Sequence, residues 1–462
     1  MTTSKLYLRK RDYGPHLFVV PVRDLNTHLP FDGIIVGDIG PKMGFTGVDN
    51  GFMRFDHYRV PRVNMLMKYS TLSPEGVYTP APHPKLAYGG MVLVRAGLVD
   101  DAYLIAAKSC IIATRYCTVR RQFSLDGGPK ETQVIDYQMV QARLFTQVAQ
   151  AFAVTFVGKE MIKMYRKMKE EFEVLNTDSL ALVHSVSSGL KSYVTGCVAD
   201  GVEECRKICG GHGYSLFSGL PTMYEQYVAN CTLEGDNYLL TQQTAKFFLK
   251  ELNKFLSGGK VFPLSAEMFN ELETRQMNLV VNDESDLLKS ENQLVILLRR
   301  TLNFLVYLAK KAQNGVEWND LNIDVYHFSL SFSQYFTLKS FISECNQSPQ
   351  SIRKYLKQLC DLYALSTIDN NIGDFVGFVS LDQSKKVKQA RMSLYKALAP
   401  NILSIVESFD LCDYILDSSL GASDGRVYER LYRNALLNPV NQYPPIGYTE
   451  IKRILSLNKS KL

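Results

Sequence analysis

Apolar residues recur at three- and four-residue spacing over most of the chain, beginning near residue 85. This spacing predicts four long helices, over 85–120, 136–172, 178–209 and 236–255. The fourth carries its apolar stripe on Leu239, Leu240, Ala245, Phe247, Phe248 and Leu252. Because the four helices are joined by turns, they predict an antiparallel bundle.

A second set of helical patterns follows the breakers Ser257-Gly258-Gly259 and Pro263. These patterns cover 289–313, 334–345, 350–366, 384–408 and 425–437. They predict a second helical domain, which closes in a Pro-rich turn at 438–445. The sequence contains no internal repeat and no low-complexity tract.

The first 70 residues have a β pattern instead, with short β-branched or aromatic runs at 17–22, 33–37 and 52–60. Asn50-Gly51 predicts a tight turn. Alternation within 52–60 predicts that one face of this strand is more solvated than the other. Three or four strands are few for a free-standing sheet, so we expect that part of the sheet is missing upstream.

Together the patterns predict a mainly α protein with a small β domain. The predicted divisions are a partial β-domain at 1–70, a Pro-rich linker at 71–85, a four-helix bundle at 86–258 and a C-terminal helical domain at 264–462. A chain of 462 residues is long enough for at least two hydrophobic cores.

Composition excludes several classes of function. The net charge of +6, from 52 basic and 46 acidic residues, is mild and evenly spread, so nucleic acid is not an expected partner. The nine cysteines include no C-x-x-C pair and no metal-like spacing, which is typical of a reducing compartment. No apolar run approaches the ~20 residues of a membrane span, and no signal peptide opens the chain. These features predict a soluble protein without a metal site.

The sequence ends in Ser460-Lys461-Leu462, and a free C-terminal Ser-Lys-Leu is bound by the peroxisomal import receptor. The alternative is a basic tail that ends in these residues by coincidence. Three specified residues at one specified place favour targeting, so we predict the peroxisomal matrix.

Candidate chemistry is concentrated between Cys205 and Asn237. Gly210, Gly211 and Gly213 allow a flat or phosphorylated ligand to approach the backbone closely. Glu234 precedes Gly235 and a new helical pattern, where one acid could remove a proton. Residue types alone leave a plainer alternative open: a glycine-rich turn between helices and an acid near a helix start.

Eight stretches of the chain resemble the peroxisomal acyl-CoA oxidases of the acyl-CoA dehydrogenase superfamily, and they occur in that family's order. The stretches are Tyr13-Gly-Pro-His-Leu-Phe-Val-Val-Pro-Val-Arg-Asp24, Gly37-Asp-Ile-Gly-Pro-Lys42, Asp49-Asn-Gly51, Tyr58-Arg-Val-Pro-Arg62, Arg120-Arg-Gln-Phe123, Asp136-Tyr-Gln138, Cys209-Gly-Gly-His-Gly-Tyr214 and Glu234-Gly-Asp-Asn237. The resemblance implies an FAD enzyme that converts fatty acyl-CoA and dioxygen to trans-2-enoyl-CoA and hydrogen peroxide. It also implies a homodimer.

The resemblance assigns roles to single residues. Glu234 matches the base that removes the α-proton of the thioester while the β-hydrogen leaves as hydride to the flavin. Its backbone N–H and a ribityl hydroxyl of the flavin would stabilise the enolate oxygen. The cofactor-binding positions are Arg120, Gln122, Phe123, Gly210, Gly211 and Asn237, with Gly210 and Gly211 closing on the FAD of the partner subunit.

For three further residues, a structural role stays open beside the functional one. Arg95 lies 25 residues before Arg120 (120 − 95), the family's spacing for an arginine near the substrate, and the alternative is a buried structural arginine. For His212, a structural histidine in a turn, with its hydrogen bonds satisfied, is favoured over a catalytic acid or base. Tyr214 is favoured as a packing residue.

The family begins with a helical domain and the first half of the β-domain, which do not precede Met1 in this sequence. Two interpretations stay open: an incomplete sequence of an active oxidase, and a shortened chain that dimerises with a full-length oxidase without catalysing the reaction. A third, a helical scaffold without a ligand, is disfavoured by the setting of Glu234.

Overall fold

The computed structural model describes residues 2–81, 89–125, 127–174, 176–273 and 283–459. The predicted mainly α architecture with a small β region is confirmed. Residues 82–85 of the predicted linker lie outside the described residues. Its earlier part is a small hairpin instead of an extended loop, because Thr71 and Leu72 pair with Thr79 and Tyr78.

The β region consists of three separate antiparallel pairs within the described residues. The strands are β1 (Thr2–Leu8), β2 (Arg11–Phe18), β3 (Ile34–Asp38), β4 (Gly51–Phe55), β5 (Thr71–Leu72) and β6 (Tyr78–Thr79). Strand β1 pairs with β2, β3 with β4 and β5 with β6. The sequence pattern missed β1 and placed the strand at 17–22 too late, since β2 ends at Phe18.

Strand β4 departs from two predictions. Asn50-Gly51 does not form a hairpin turn, because Gly51 already pairs with Asp38 as the first residue of β4. All five residues of β4 are exposed, so its alternating pattern does not produce one buried face. Period-two alternation predicts burial only where a second layer covers the strand, and no described residue covers β4 in that way.

The helices of the predicted bundle follow the apolar spacing closely. They are α1 (Gly89–Val119), α2 (Gln138–Glu173), α3 (Leu180–Ile208) and α6 (Asn237–Leu256). Two short helices, α4 (Gly210–Tyr214) and α5 (Leu220–Tyr227), connect α3 to α6. Gly219 separates them with a φ of +75°, a conformation that glycine adopts without steric cost.

The described residues of the C-terminal part form helices joined by turns and loops, without a strand. Its helices are α7 (Pro263–Glu273), α8 (Glu284–Leu287), α9 (Ser290–Gln313), α10 (Asn322–Gln347), α11 (Gln350–Asn370), α12 (Leu381–Leu398), α13 (Ile402–Glu407), α14 (Asp413–Leu416), α15 (Val427–Leu436) and α16 (Tyr448–Lys459). Helix α10 begins well before its predicted start at 334, because buried Ser329, Ser331 and Ser333 interrupt the apolar pattern without interrupting the helix. None of the helices described is both long and apolar enough to cross a bilayer.

The two predicted helical domains share one hydrophobic core, which extends from Val92 in α1 to Val427 in α15. Phe248 of α6 packs against Phe332 of α10 with ring centroids 4.5 Å apart. The ring centroids of Phe156 in α2 and Phe341 in α10 are 5.0 Å apart. The domain boundaries stay a prediction, and the packing shows that the bundle and the C-terminal helices are not separated by solvent.

A buried arginine ties α1 to the C-terminal helices. Arg115 is 8% exposed and forms two 2.6 Å hydrogen bonds with the carboxylate of Glu407 at the end of α13. It also donates to Asp413, at 3.1 Å, and to the carbonyl of Gly421, at 2.7 Å. Because the guanidinium group has donors in a fixed fork, these contacts fix the position of the segment that leads into α15.

Candidate active site

Helices α1 and α3 run side by side in the same direction. Arg95, near the start of α1, bonds to Ser188, near the start of α3. Tyr116, near the end of α1, bonds to His212, just after α3. The predicted site residues divide between these two ends, with Glu234, Asn237 and Arg95 at one and the remaining cofactor positions at the other.

Glu234 lies in the short loop between a 3-10 turn, Val228–Cys231, and α6. Its φ is +56°, and that of Gly235 is +114°. A non-glycine residue rarely adopts the left-handed region, and such strain is found mostly where the surroundings impose it. Asp236 caps α6 by accepting hydrogen bonds from the N–H groups of Tyr238 and Leu239, so the loop is fixed on its C-terminal side. The Glu234 side chain itself is exposed in this chain.

Arg95 of α1 supports this loop from the buried side. It is 4% exposed, and its Nε donates to the carbonyl of Glu234 at 3.1 Å. Its Nη1 lies 3.4 Å from the hydroxyl of Ser188. Burial lowers the pKa of the Arg95 guanidinium, and the charge of Glu234 acts in the opposite direction. These contacts favour the buried structural arginine over the substrate-binding one, and a substrate role stays a prediction.

Asn237 is held by α3 at the same end of the bundle. Its Oδ1 accepts a hydrogen bond from Lys191 at 3.0 Å, and its Nδ2 donates to Thr195 at 2.9 Å. The hydroxyl of Ser192 donates to the Asn237 carbonyl at 2.7 Å. The amide group is thus directed toward α3, where it anchors the first residue of α6. Its predicted contact with the cofactor is not tested by this arrangement.

Lys191 is a site residue that the sequence analysis missed. Its side chain is fully buried, and Nζ donates to the carbonyl of Gly235 at 2.7 Å as well as to Asn237. Burial lowers the pKa of Lys191 to about 8. The sequence did contain a signal for a buried lysine: Lys191 follows Leu190 and lies four residues before Thr195, on the buried stripe of α3.

At the other end of α1, residues 120–125 form a folded loop against 131–134. The N–H of Gln122 donates to the carbonyl of Thr132 at 3.0 Å, and the N–H of Thr132 donates to that of Phe123. Phe123 has a φ of +53° and is 74% exposed. Arg120 donates to the Gln122 side chain at 2.7 Å, which aligns two of the predicted cofactor residues.

Gly210 and Gly211 lie beside this loop at the start of α4. Gly210 has a φ of +59°, and a Cβ on either glycine would meet nothing within 4 Å. In contrast, a Cβ on Gly213 would lie 2.1 Å from the carbonyl oxygen of Arg206, so Gly213 is required for packing. Gly210 and Gly211 therefore leave open backbone on the surface of this chain.

Tyr428 of α15 contacts both the loop that follows α1 and the start of α4. Its hydroxyl accepts a hydrogen bond from Arg120 at 3.1 Å, and its ring lies 5.9 Å from that of His212 in an edge-on arrangement. His212 is in turn hydrogen-bonded to the Tyr116 hydroxyl at 2.8 Å, which fits the predicted turn histidine. Tyr214 is 80% exposed, so its prediction as a packing residue is wrong within this chain.

The residues at this end fit a flat, phosphorylated cofactor such as FAD. Arg120 carries the forked donors suited to phosphate, although each terminal nitrogen already donates one hydrogen bond, to Tyr428 or to Gln122. Phe123 exposes an aromatic face, and the glycines expose backbone without side chains. The fit rests on the open space in front of Gly210 and Gly211, which a side chain would fill.

Known proteins identify the family. Residues 88–249 match the family model "Acyl-CoA oxidase, C-alpha1 domain", and residues 289–455 match "Acyl-CoA oxidase". A peroxisomal acyl-coenzyme A oxidase 1 from Arabidopsis thaliana is 38% identical over 97% of this chain and 70% of that relative. This chain belongs to the acyl-CoA oxidase family. The resemblance inferred from the sequence motifs is confirmed.

Other acyl-CoA oxidases agree in sequence and in fold. The Dictyostelium discoideum peroxisomal enzyme is 36% identical over 98% of this chain and 70% of its own length. The solved structure of Arabidopsis thaliana acyl-CoA oxidase 1 superposes with a TM-score of 0.94 at 37% identity, covering 99% of this chain and 71% of that one. Caenorhabditis elegans acyl-CoA oxidase-1, complexed with FAD and ATP, gives a TM-score of 0.88 at 31% identity, covering 98% and 69%.

The names of the acyl-CoA oxidase relatives also confirm the predicted peroxisomal location. The predicted targeting residues Ser460, Lys461 and Leu462 lie outside the described residues, so their role stays a prediction.

Proposed function

We propose that this chain oxidises fatty acyl-CoA with FAD and dioxygen, giving trans-2-enoyl-CoA and hydrogen peroxide. Membership of the acyl-CoA oxidase family supports the reaction. The observation that carries the assignment of chemistry is the strained, anchored backbone of Glu234. Such strain persists where the surrounding structure imposes it, and it is frequent at active sites.

Glu234 is the base of the proposed reaction. It takes the α-proton of the thioester, while its own backbone N–H donates to the carbonyl oxygen on which negative charge develops. One residue then provides both the proton acceptor and an oxyanion donor, so the loop must fix both at once. A bound flavin would supply the acceptor for the β-hydrogen, taken as hydride, and dioxygen would reoxidise it.

The exposure of Glu234 in the single chain gives substrate a direct approach to it. A carboxylate in water is a weak base for a thioester α-hydrogen, so bound substrate and cofactor must exclude water from it. We infer that Glu234 becomes an effective base only in the loaded complex, where its carboxylate is desolvated.

We infer further that two copies of the chain build each complete site. Arg95 and Tyr116 mark the two ends of the site on α1, and they are 21 residues apart (116 − 95). At 1.5 Å per residue this places them about 30 Å apart. The glycines and Arg120 are thus far from Glu234 of the same chain, which supports their use on the cofactor of a partner copy in a homodimer.

The C-terminal Ser460-Lys461-Leu462 is proposed to bind the peroxisomal import receptor. A fluorescent reporter fused ahead of the full chain is expected to enter peroxisomes, and deletion of these three residues should leave it in the cytosol. Import of the deleted form would show that another signal, or a bound partner, carries the chain.

The reaction is tested on purified chain supplied with FAD and a long-chain acyl-CoA. We expect flavin absorbance, and peroxide formation that Glu234→Gln abolishes without loss of flavin. Glu160→Gln, at a surface ion pair with Lys163, serves as the matched control and should keep activity. A colourless protein that co-purifies with a longer oxidase would instead support the non-catalytic partner considered from the sequence. An active Glu234→Gln would contradict the assignment of the base.

A further inference from the structure

Lys191 occupies an unusual position for a lysine. Its side chain has no exposed surface, although burying an ammonium group is costly unless hydrogen bonds replace its water. Those hydrogen bonds go to two neutral oxygens, the Gly235 carbonyl at 2.7 Å and Asn237 Oδ1 at 3.0 Å. Both acceptors belong to the three residues that follow Glu234.

The charged and titratable groups around Lys191 do not explain its burial by ion pairing. Arg95 faces it from α1, Cys231 from the end of the 3-10 turn, and Glu234 and Asp236 from the loop. The Asp236 carboxylate is engaged with the N–H groups of Tyr238 and Leu239. Glu234 directs only its carbonyl to the buried side, where Arg95 binds it. Lys191 therefore holds the loop backbone at Gly235 and the side chain of Asn237, the first residue of α6.

We propose that Lys191 is the positioning residue of the base. By binding the Gly235 carbonyl and the Asn237 side chain, it locks the left-handed conformation of Glu234 and Gly235. This inference rests on the proposed role of Glu234 and adds a residue that acts through it without touching substrate.

The geometry explains why two separate anchors are needed. Arg95 from α1 holds the carbonyl of Glu234, and Lys191 from α3 holds the next carbonyl, that of Gly235. A single hydrogen bond leaves a peptide free to rotate about it, whereas carbonyls of consecutive residues bound from two helices fix the peptide units on both sides of Gly235. These peptide units set the path of the backbone that leaves Glu234, and so restrict the directions in which its side chain can point.

Loss of the Lys191 anchor would release a conformation that costs free energy to maintain. The φ of Glu234, +56°, would relax toward the ordinary region and carry the carboxylate with it. A displacement of about 1 Å at a reacting group costs up to roughly 100-fold in rate. Because binding of the acyl chain and coenzyme does not depend on this alignment, KM should change far less than kcat.

The test compares Lys191→Met with Lys163→Met, an exposed lysine of α2 whose ion pair with Glu160 spans 3.6 Å. Hydrogen exchange followed by mass spectrometry reports the amides of segment 231–240 in the full chain. We expect faster exchange there in Lys191→Met, with helix α1 protected as in the parent, and no change in Lys163→Met. In the FAD-loaded enzyme kcat should fall on the order of 10- to 100-fold, with KM within about 3-fold.

Unchanged exchange in segment 231–240, or a fall in kcat no larger than that of Lys163→Met, would overturn the proposal. The exchange measurement needs no turnover, so it decides the positioning role even where Glu234→Gln disproves the base. If Lys191→Met does not fold, Asn237→Ala removes one of the two acceptors and leaves the lysine in place. Asn237→Ala should speed exchange in segment 231–240 as well. An unaltered exchange pattern in this variant would count equally against the proposal.

Discussion

The hydroxyl of Tyr428 lies 3.1 Å from Nη1 of Arg120 and accepts its hydrogen bond, although 308 residues separate them in the chain. This contact places a side chain of α15, in the C-terminal region, against the predicted cofactor residues at the end of α1. It also shows that the bundle does not form this end of the site alone.

Tyr428→Phe is therefore expected to weaken FAD binding while leaving the fold intact. The change removes one hydrogen bond to a charged donor, which corresponds to about 1.5–3 kcal/mol at most and less at this half-exposed position. We expect affinity for FAD to fall roughly 3- to 10-fold. Flavin titration measures it, and Tyr432→Phe, on the same helix and 67% exposed, should match the parent. Equal affinities for all three proteins would show that Arg120 needs no support.

The contacts of Arg115 predict a larger effect on stability than on the site. Arg115→Met removes the partner of Glu407 and one partner of Asp413, which keeps Arg430 at 2.8 Å. We expect the free energy of unfolding to fall by about 2–4 kcal/mol, measured by urea denaturation. Flavin affinity should fall in parallel, because α15 and Tyr428 follow the anchored segment. A destabilised protein with undiminished flavin affinity would show that α15 is positioned independently.

Sequence pattern predicted the long helices well, because helix α1, α2, α3 and α6 each present a continuous apolar stripe to one core. It failed where burial depends on a distant partner. Ser329 and Ser333 of α10 are buried beside Gly189 of α3. Strand β4 is exposed for lack of a covering layer. Neither fact is local to the sequence.

The candidate site shows the same division. Glu234, Gly210 and Arg120 stood out through motifs, whereas Lys191 and Tyr428 contact them from other elements and carry no motif. The strain at Glu234, with φ of +56°, could not be inferred from Glu-Gly either, because that backbone is imposed by Arg95 and Lys191 from neighbouring helices. The residues proposed to contact substrate or cofactor could be predicted from motifs, whereas the residues that hold them in place could be found only from the fold.

The buried Lys191 predicts a specific pH dependence of stability. Its pKa is lowered from 10.5 to about 8 in the folded chain by burial. Between those two values the unfolded chain still binds the proton that the folded chain has released, so stability from this group rises with pH in that window. Below the folded pKa both states are charged and the contribution is flat. The slope is at most about 1.4 kcal/mol per pH unit.

The measurement is the free energy of unfolding from denaturant titrations between about pH 7.5 and 9.5. Subtracting the values for Lys191→Met cancels the groups that both proteins share. We expect the difference, parent minus variant, to increase with pH. A flat or falling difference would show that Lys191 keeps its proton in the folded chain throughout this range.

The glycines of α4 permit a comparison that separates cofactor binding from folding. A Cβ at Gly213 would lie 2.1 Å from the Arg206 carbonyl, whereas a Cβ at Gly211 meets nothing within 4 Å. Gly213→Ala should therefore destabilise the chain, by on the order of 1–3 kcal/mol through the forced backbone shift. Gly211→Ala should leave thermal stability of the flavin-free chain unchanged or slightly raised, since alanine favours helix.

The two variants should reverse their order in flavin binding. If FAD or a partner copy approaches the open backbone, the methyl group of Gly211→Ala occupies that space and lowers flavin affinity although the chain folds normally. Flavin titration and analytical ultracentrifugation of the same samples distinguish loss of cofactor from loss of the dimer. Gly211→Ala with full flavin affinity and an intact dimer would show that nothing approaches Gly211, and would remove it from the cofactor site.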